Sequence, residues 1–196
     1  MAAAIKWNLV SEPEYLRGEL ISNTKHEYLG GVLYAMAGAS NDHNRIATNI
    51  TIALGARLRG RPCQAFNSDT KIRLRFASQV RFYYPDASVT CQPNPGSDSF
   101  QDEPVVVVEV LSRSTRRLDD GEKREAYLAI PSLQVYVMVE TTHVGVIVYR
   151  RSSQGFEPEH YDDLVAVIPL PEIEAELPLS ELYERVEFTP EPEPEE

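Results

Sequence analysis

The sequence predicts one α/β (α+β) domain built on a mixed central sheet flanked by helices. Three observations predict it. Helical and strand patterns follow one another in the order helix, strands, helix, strands, as one layered domain requires. The run Pro104-Val105-Val106-Val107-Val108-Glu109-Val110-Leu111 is apolar at both parities, so it belongs to the centre of a covered sheet. The composition is that of a globular chain, 196 residues with 42% hydrophobic and 25% charged, and a domain of this size buries a substantial core.

The elements follow in order. Ser11-Glu12-Pro13-Glu14 reads as a helix start, a Ser cap followed by early acids. Residues 26–34 read as a hairpin turning at Gly30-Gly31. From Asn41 to Arg59, His43, Ile46, Ala47, Ile50, Leu54 and Leu58 recur at helical spacing, with Asn41 or Asp42 as cap and Gly60-Arg61-Pro62 as stop. Strands are expected at 63–67, 70–76 and 82–91, then a loop at 93–97, then the valine strand. A helix is expected at 119–130, ended by Pro131. A second hairpin spans 133–140 and 144–150, a strand 164–168 and a short helix begins at 180. Residues 1–186 form the expected domain, and 187–196, alternating Pro and Glu, an acidic disordered tail.

The formal charge of −11 is uneven. Residues 157–196 carry 14 acids and one base, so residues 1–156 are slightly basic. The stretch 57–81 holds Arg57, Arg59, Arg61, Lys71, Arg73, Arg75 and Arg81 against Asp69. Local positive charge attracts phosphate, whereas net charge mostly sets solubility, so a polyanionic partner is compatible with this chain. A solvated strand face of mixed charge explains the same stretch. No apolar run approaches the ~18–20 residues of a membrane helix, and Met1–Lys6 has no secretory pattern. Cys63 and Cys91 form no motif and are expected as two buried thiols in a reducing cytoplasm. His26, His43, His143 and His160 lack zinc spacing, and neither a Gly-x-Ser-x-Gly elbow nor a phosphate-cradling glycine loop occurs.

Glu109 interrupts the buried valine strand. A carboxylate there costs several kcal/mol unless it is paired, protonated or bound to a metal. Asp86, after Pro85 and heading a strand one loop upstream, can converge on it. Two close carboxylates repel, and a hard divalent cation resolves the repulsion. A buried salt bridge for Glu109 and a turn aspartate for Asp86 are the plainer explanations. Strand alternation puts residue 111 on the side of 109, but it is Leu111; Lys123, with Tyr127 one turn later, is the cation that a downstream helix can bring to the same space. An exposed lysine in a charged first turn is the alternative for Lys123.

Pro85-Asp86, Glu109-Val110-Leu111-Ser112, Ser114-Thr115, Asp119, Lys123 and Tyr127 resemble the Uma-two family of the PD-(D/E)xK restriction-endonuclease-like superfamily. Glu27 with Gly30-Gly31, His43, Ser68-Asp69-Thr70-Lys71-Ile72 and Ile130-Pro131-Ser132 extend the similarity over roughly residues 10 to 150. The resemblance implies a restriction-endonuclease-like core. It implies Asp86, Glu109 and the Val110 carbonyl as ligands of Mg²⁺ or Mn²⁺, and Lys123 in place of the motif lysine. It implies Glu27 in the catalytic set as an accessory ligand or orienting group, and His43 and Tyr127 as supporting groups; a capping or packed histidine is the alternative for His43. Arg73, Arg75, Arg113, Arg116 and Arg117 would hold phosphate. The activity implied is metal-dependent hydrolysis of DNA by a cytoplasmic protein, with a homodimer as a fold-level expectation. Two other classes compete: a nuclease fold that binds nucleic acid without cutting, favoured by Leu111, and a two-carboxylate glycoside hydrolase, which would need no metal.

Overall fold

The computed structural model describes residues 9–112 and 119–188. Trp7, Arg113, Ser114, Thr115, Arg116, Arg117 and the segment 189–196 lie outside the described residues. Helix α1 (Glu12–Glu19) opens with a capping box, in which the Ser11 backbone N–H donates to Glu14 Oε2 at 2.9 Å. Strands β1 (His26–Leu29) and β2 (Val32–Ala35) form the expected hairpin. Helix α2 (Asn41–Arg57) is capped by Ser40, one residue before the expected caps: its hydroxyl accepts from the His43 backbone N–H at 3.2 Å.

Strands β3 (Gln64–Asn67), β4 (Lys71–Arg75), β5 (Val80–Tyr83), β6 (Ala87–Thr90), β7 (Phe100–Gln101) and β8 (Pro104–Val110) follow. The strand expected at 82–91 is two strands in different sheets, because Pro85 has no N–H to extend the ladder. A π-helical turn, Asp119–Lys123, runs into α3 (Arg124–Leu128), where one regular helix was expected. Next come β9 (Val135–Val139), β10 (Val146–Ser152), β11 (Gly155–Tyr161), β12 (Val167–Leu170), β13 (Ala175–Pro178) and α4 (Leu179–Leu182). No helix among the described residues is long and apolar enough to cross a membrane.

The mixed sheet is in fact two mixed sheets and a ribbon. Five strands run in the order β2-β1-β5-β4-β7, six in the order β11-β10-β9-β8-β6-β3, and β12 pairs with β13. Strands β8 and β9 are parallel, and so are β4 and β7. Helix α2 lays Ile46, Ile50, Ala53 and Leu54 against Val89, Val106 and Val108 on one face of the six-stranded sheet. Between the two sheets, Ile72, Leu74 and Tyr83 meet Val107, Leu111, Tyr136, Met138 and the α3 residue Tyr127. On the far face of the five-stranded sheet, Tyr15 of α1 packs on Tyr28 and Phe82. Each large apolar side chain buried in these layers stabilises the fold by about 1.5–3 kcal/mol.

Cys63 and Cys91 are not free thiols. They flank the paired strands β3 and β6 one position beyond the Gln64↔Thr90 pair, and that register sets them opposite one another as a disulfide.

The β1–β2 turn depends on glycine. Gly31 has φ +105°, and a Cβ there would stand 2.7 Å from Leu9 Cβ. Gly31→Ala is expected to destabilise the protein by about 1–3 kcal/mol, the range for a strained backbone position. Urea denaturation measures it, and an unchanged midpoint would show that the turn relaxes freely.

Candidate active site

Two strands from different sheets and one helical turn build the site. The Ala87↔Val108 pairing, continued by one residue, sets Asp86 opposite Glu109. Strand alternation puts the Glu109 side chain on the face that carries Val107 and Leu111 between the sheets. Asp86, just ahead of β6, is anchored at the end of β8 because its Oδ2 accepts the Val110 backbone N–H at 2.8 Å. The carboxylate is thereby held beside the strand that carries Glu109. The His43 ring, one turn into α2, brings Nε2 to 3.4 Å from the same Asp86 oxygen.

Glu109 is 3% exposed, in the middle of the sheet, as the valine run implied. Its partner comes from the π-helical turn. Lys123 Nζ lies 3.6 Å from Glu109 Oε1 and 2.7 Å from Glu27 Oε1. Lys123 and Glu27 are each 5% exposed, so this ammonium bridges two buried acids from two sheets. Charges so far from water persist only when paired. A π-helical turn widens the local radius and often marks functional positions; here Lys123 ends that turn. The exposed-lysine alternative for Lys123 therefore fails. Glu109 is paired with a lysine that also touches Glu27.

Tyr127 lies buried on the same helical segment. Burial first, then the negative charges of Glu109 and Glu27, raise its hydroxyl pKa well above the ordinary tyrosine value. It is therefore a neutral group at physiological pH. Tyr83 supplies a ring 5.6 Å from Lys123 Nζ. The residue-level reading passed over Tyr83; the alternation of Arg81 and Tyr83 against Val80 and Phe82 was the available signal. Leu111, at the position of the motif lysine, is a core residue between the sheets.

The other expected residues lie elsewhere. The Arg73 guanidinium donates to both Asp102 oxygens, at 2.6 and 2.7 Å, and to Glu12 at 2.9 Å. These ion pairs raise the Arg73 pKa against the opposing effect of its burial. An arginine so engaged faces protein carboxylates instead of phosphate. Arg75 is exposed, 3.9 Å from Glu12. Both line a depression of about 440 Å³ with Phe76, Asp102, Ala126 and Pro131, along α3 and the turn that follows it.

Asp86, Glu109 and the Val110 carbonyl are hard oxygen donors, the set that Mg²⁺ and Mn²⁺ favour. Among the described residues no group of three or more His, Cys, Asp or Glu side chains is arranged as a metal site. A two-carboxylate site completed by backbone and water is the arrangement magnesium ordinarily takes. The anchored Asp86 opposite Glu109 fits it on donor chemistry.

Residues 13–180 match the model of the Uma2 (Uma-two) family, whose description reads "Putative restriction endonuclease". Two uncharacterised proteins of Synechocystis sp. are similar. One is 38% identical over 147 residues, spanning 74% of this chain and 76% of its own length. The other is 32% identical over 135 residues, spanning 67% of this chain and 75% of its own. Among solved structures, a protein from Anabaena variabilis described as "a putative nuclease belonging to DUF820" has a TM-score of 0.67 at 19% identity. The match covers 83% of this chain and 91% of that one, which shows the shared fold.

Proposed function

Because the chain belongs to the Uma2 family, we propose that it is a metal-dependent endonuclease hydrolysing phosphodiester bonds of DNA. The observation that carries this reading is the buried Lys123 ammonium between Glu27 and Glu109, beside a strand-anchored Asp86. Asp86, Glu109 and the Val110 carbonyl would hold Mg²⁺ or Mn²⁺. Bound there, such an ion supplies Lewis acidity, favouring ionisation of an attacking water and offsetting charge on the phosphate.

The chain's own groups do the remainder. Lys123 is oriented by two carboxylates before any substrate arrives, so its N–H groups need no reorganisation to stabilise charge building on a phosphate oxygen. Glu27 holds that ammonium in place. His43 steadies the Asp86 oxygen that Val110 also holds. Neutral Tyr127 fills the space behind Glu109 without adding a charge.

Cleavage of supercoiled plasmid tests this reading. The wild type is expected to nick plasmid with Mg²⁺ and to stop with a chelator, and Asp86→Ala is expected to lose the activity. Equal nicking by the variant would remove Asp86 from the chemistry. Plasmid binding with no cleavage under any divalent ion would favour the binding module that Leu111 suggests.

A further inference from the structure

A second group of charged side chains lies on the other face of the five-stranded sheet. Lys71, the first residue of β4, is 4% exposed. Among the described residues, no carboxylate lies within ion-pair distance of it and its ammonium makes no hydrogen bond. Its Nζ stands 5.1 Å from the Tyr84 ring centroid, and Lys25 Nζ stands 5.5 Å from the same ring. The ring is fixed, because the Tyr84 hydroxyl donates to Glu19 Oε2 at 2.8 Å. Glu19 also takes His26 Nδ1 at 2.8 Å, so its charge is engaged. Lys25 is held by Asp69 at 2.6 Å and by the Ser68 carbonyl at 2.9 Å.

The contrast with buried Lys123 and half-buried Arg73 is informative. Lys123 has two carboxylates and Arg73 has two. Lys71 has an aromatic face and a neighbouring ammonium. Burial lowers its pKa, Glu19 opposes the shift and Lys25 adds to it. Above the ordinary lysine pKa both states are neutral and no penalty exists. As pH falls, the unfolded chain takes the proton first, so the penalty grows until the folded-state ammonium is protonated as well. A buried cation with neither an ion pair nor a hydrogen bond is a local rule broken, and such breaks gather where a ligand completes them. The ladder pairs Ile72 with Tyr83, which sets Lys71 opposite Tyr84, two residues before Asp86. The unpaired ammonium therefore stands at the end of the sheet that leads into the catalytic strand.

We propose that Lys71 and Lys25 seat a phosphate group, supplied by the backbone of the nucleic-acid substrate. This rests on the nuclease reading for the source of the phosphate, not for the seat. Two ammonium groups near one ring suit a doubly charged oxyanion, and Asp69, in the turn just before Lys71, is exposed to solvent.

The test uses the full chain, Lys71→Met and Lys25→Gln, without divalent ions so that DNA stays intact. Inorganic phosphate at constant ionic strength is expected to raise the wild-type melting temperature and to leave Lys71→Met unmoved. A short DNA duplex is expected to bind Lys71→Met several-fold more weakly than wild type, with a salt slope smaller by about 1. Lys25→Gln should show a smaller loss of the same kind. Unliganded Lys71→Met is expected to melt above wild type, which a structural cation would not do. Equal phosphate shifts in wild type and Lys71→Met would overturn the seat. Phosphate protection confined to wild type, with DNA bound equally by both, would overturn the backbone as its source. A wild type that binds no DNA would sink the nuclease reading, and the phosphate shifts would then decide the seat alone.

Discussion

Lys123→Met is expected to abolish plasmid cleavage and to lower stability by about 3–5 kcal/mol, the range for breaking a buried ion pair by removing one partner. The magnitude follows from the surroundings of the ammonium. It lies 2.7 Å from one buried carboxylate and 3.6 Å from another, on two different sheets. Methionine keeps most of the side-chain volume, so a packing void contributes little and the loss reports charge. Glu27 and Glu109 would then face each other without the cation between them, and the repulsion acts across the seam of the two sheets. The rate should fall by about 10²–10³, the scale for losing one oriented electrostatic donor. Urea denaturation and plasmid nicking read the two effects separately. A variant as stable as wild type would mean that the ammonium is not the bridge its position indicates.

Glu109→Gln is expected to separate the two roles. The amide matches the carboxylate in shape, and it removes a charge from a position 3% exposed. Lys123 keeps Glu27 at 2.7 Å. Replacing a buried charge by a neutral group of equal size is close to neutral for stability, within about 1 kcal/mol. Cleavage, in contrast, should drop by about 10²–10⁴, because an amide is a poor ligand for a hard cation and does not offset its charge. The melting curve and the nicking rate should therefore part company. A large loss of stability with little loss of rate would reverse the assignment, making Glu109 a structural ion-pair partner and no more.

The legibility of this molecule in its sequence follows physical range. The valine strand and the acid inside it were readable because burial on both faces leaves a local signature, and Glu109 is buried in an interior strand as that signature required. The Gly30-Gly31 hairpin was readable because positive φ selects glycine. The division at Tyr84-Pro85-Asp86 was not. Proline there shows that a ladder ends, but nothing local shows that the chain passes into another sheet. Strand β11 escaped because it is an edge strand carrying Glu157, Pro158 and Glu159, with little apolar alternation. The Cys63–Cys91 link needed the β3–β6 register, which is a tertiary fact. Arg73 was read by charge alone, and charge does not reveal that Asp102 and Glu12 lie within reach. That Lys123 could reach Glu109 was readable from the downstream helix, and the lysine's bridge to Glu27 emerged only from the docking of two sheets.

That bridge makes timing a property of the fold. Glu27 is made early on the ribosome and Lys123 nearly a hundred residues later, and they meet only after both layers have closed on each other. A nascent or half-folded chain thus carries scattered acids and a stray lysine, without a working centre. On the nuclease reading, the cutting chemistry would be withheld until assembly is finished, a safeguard that needs no separate inhibitor.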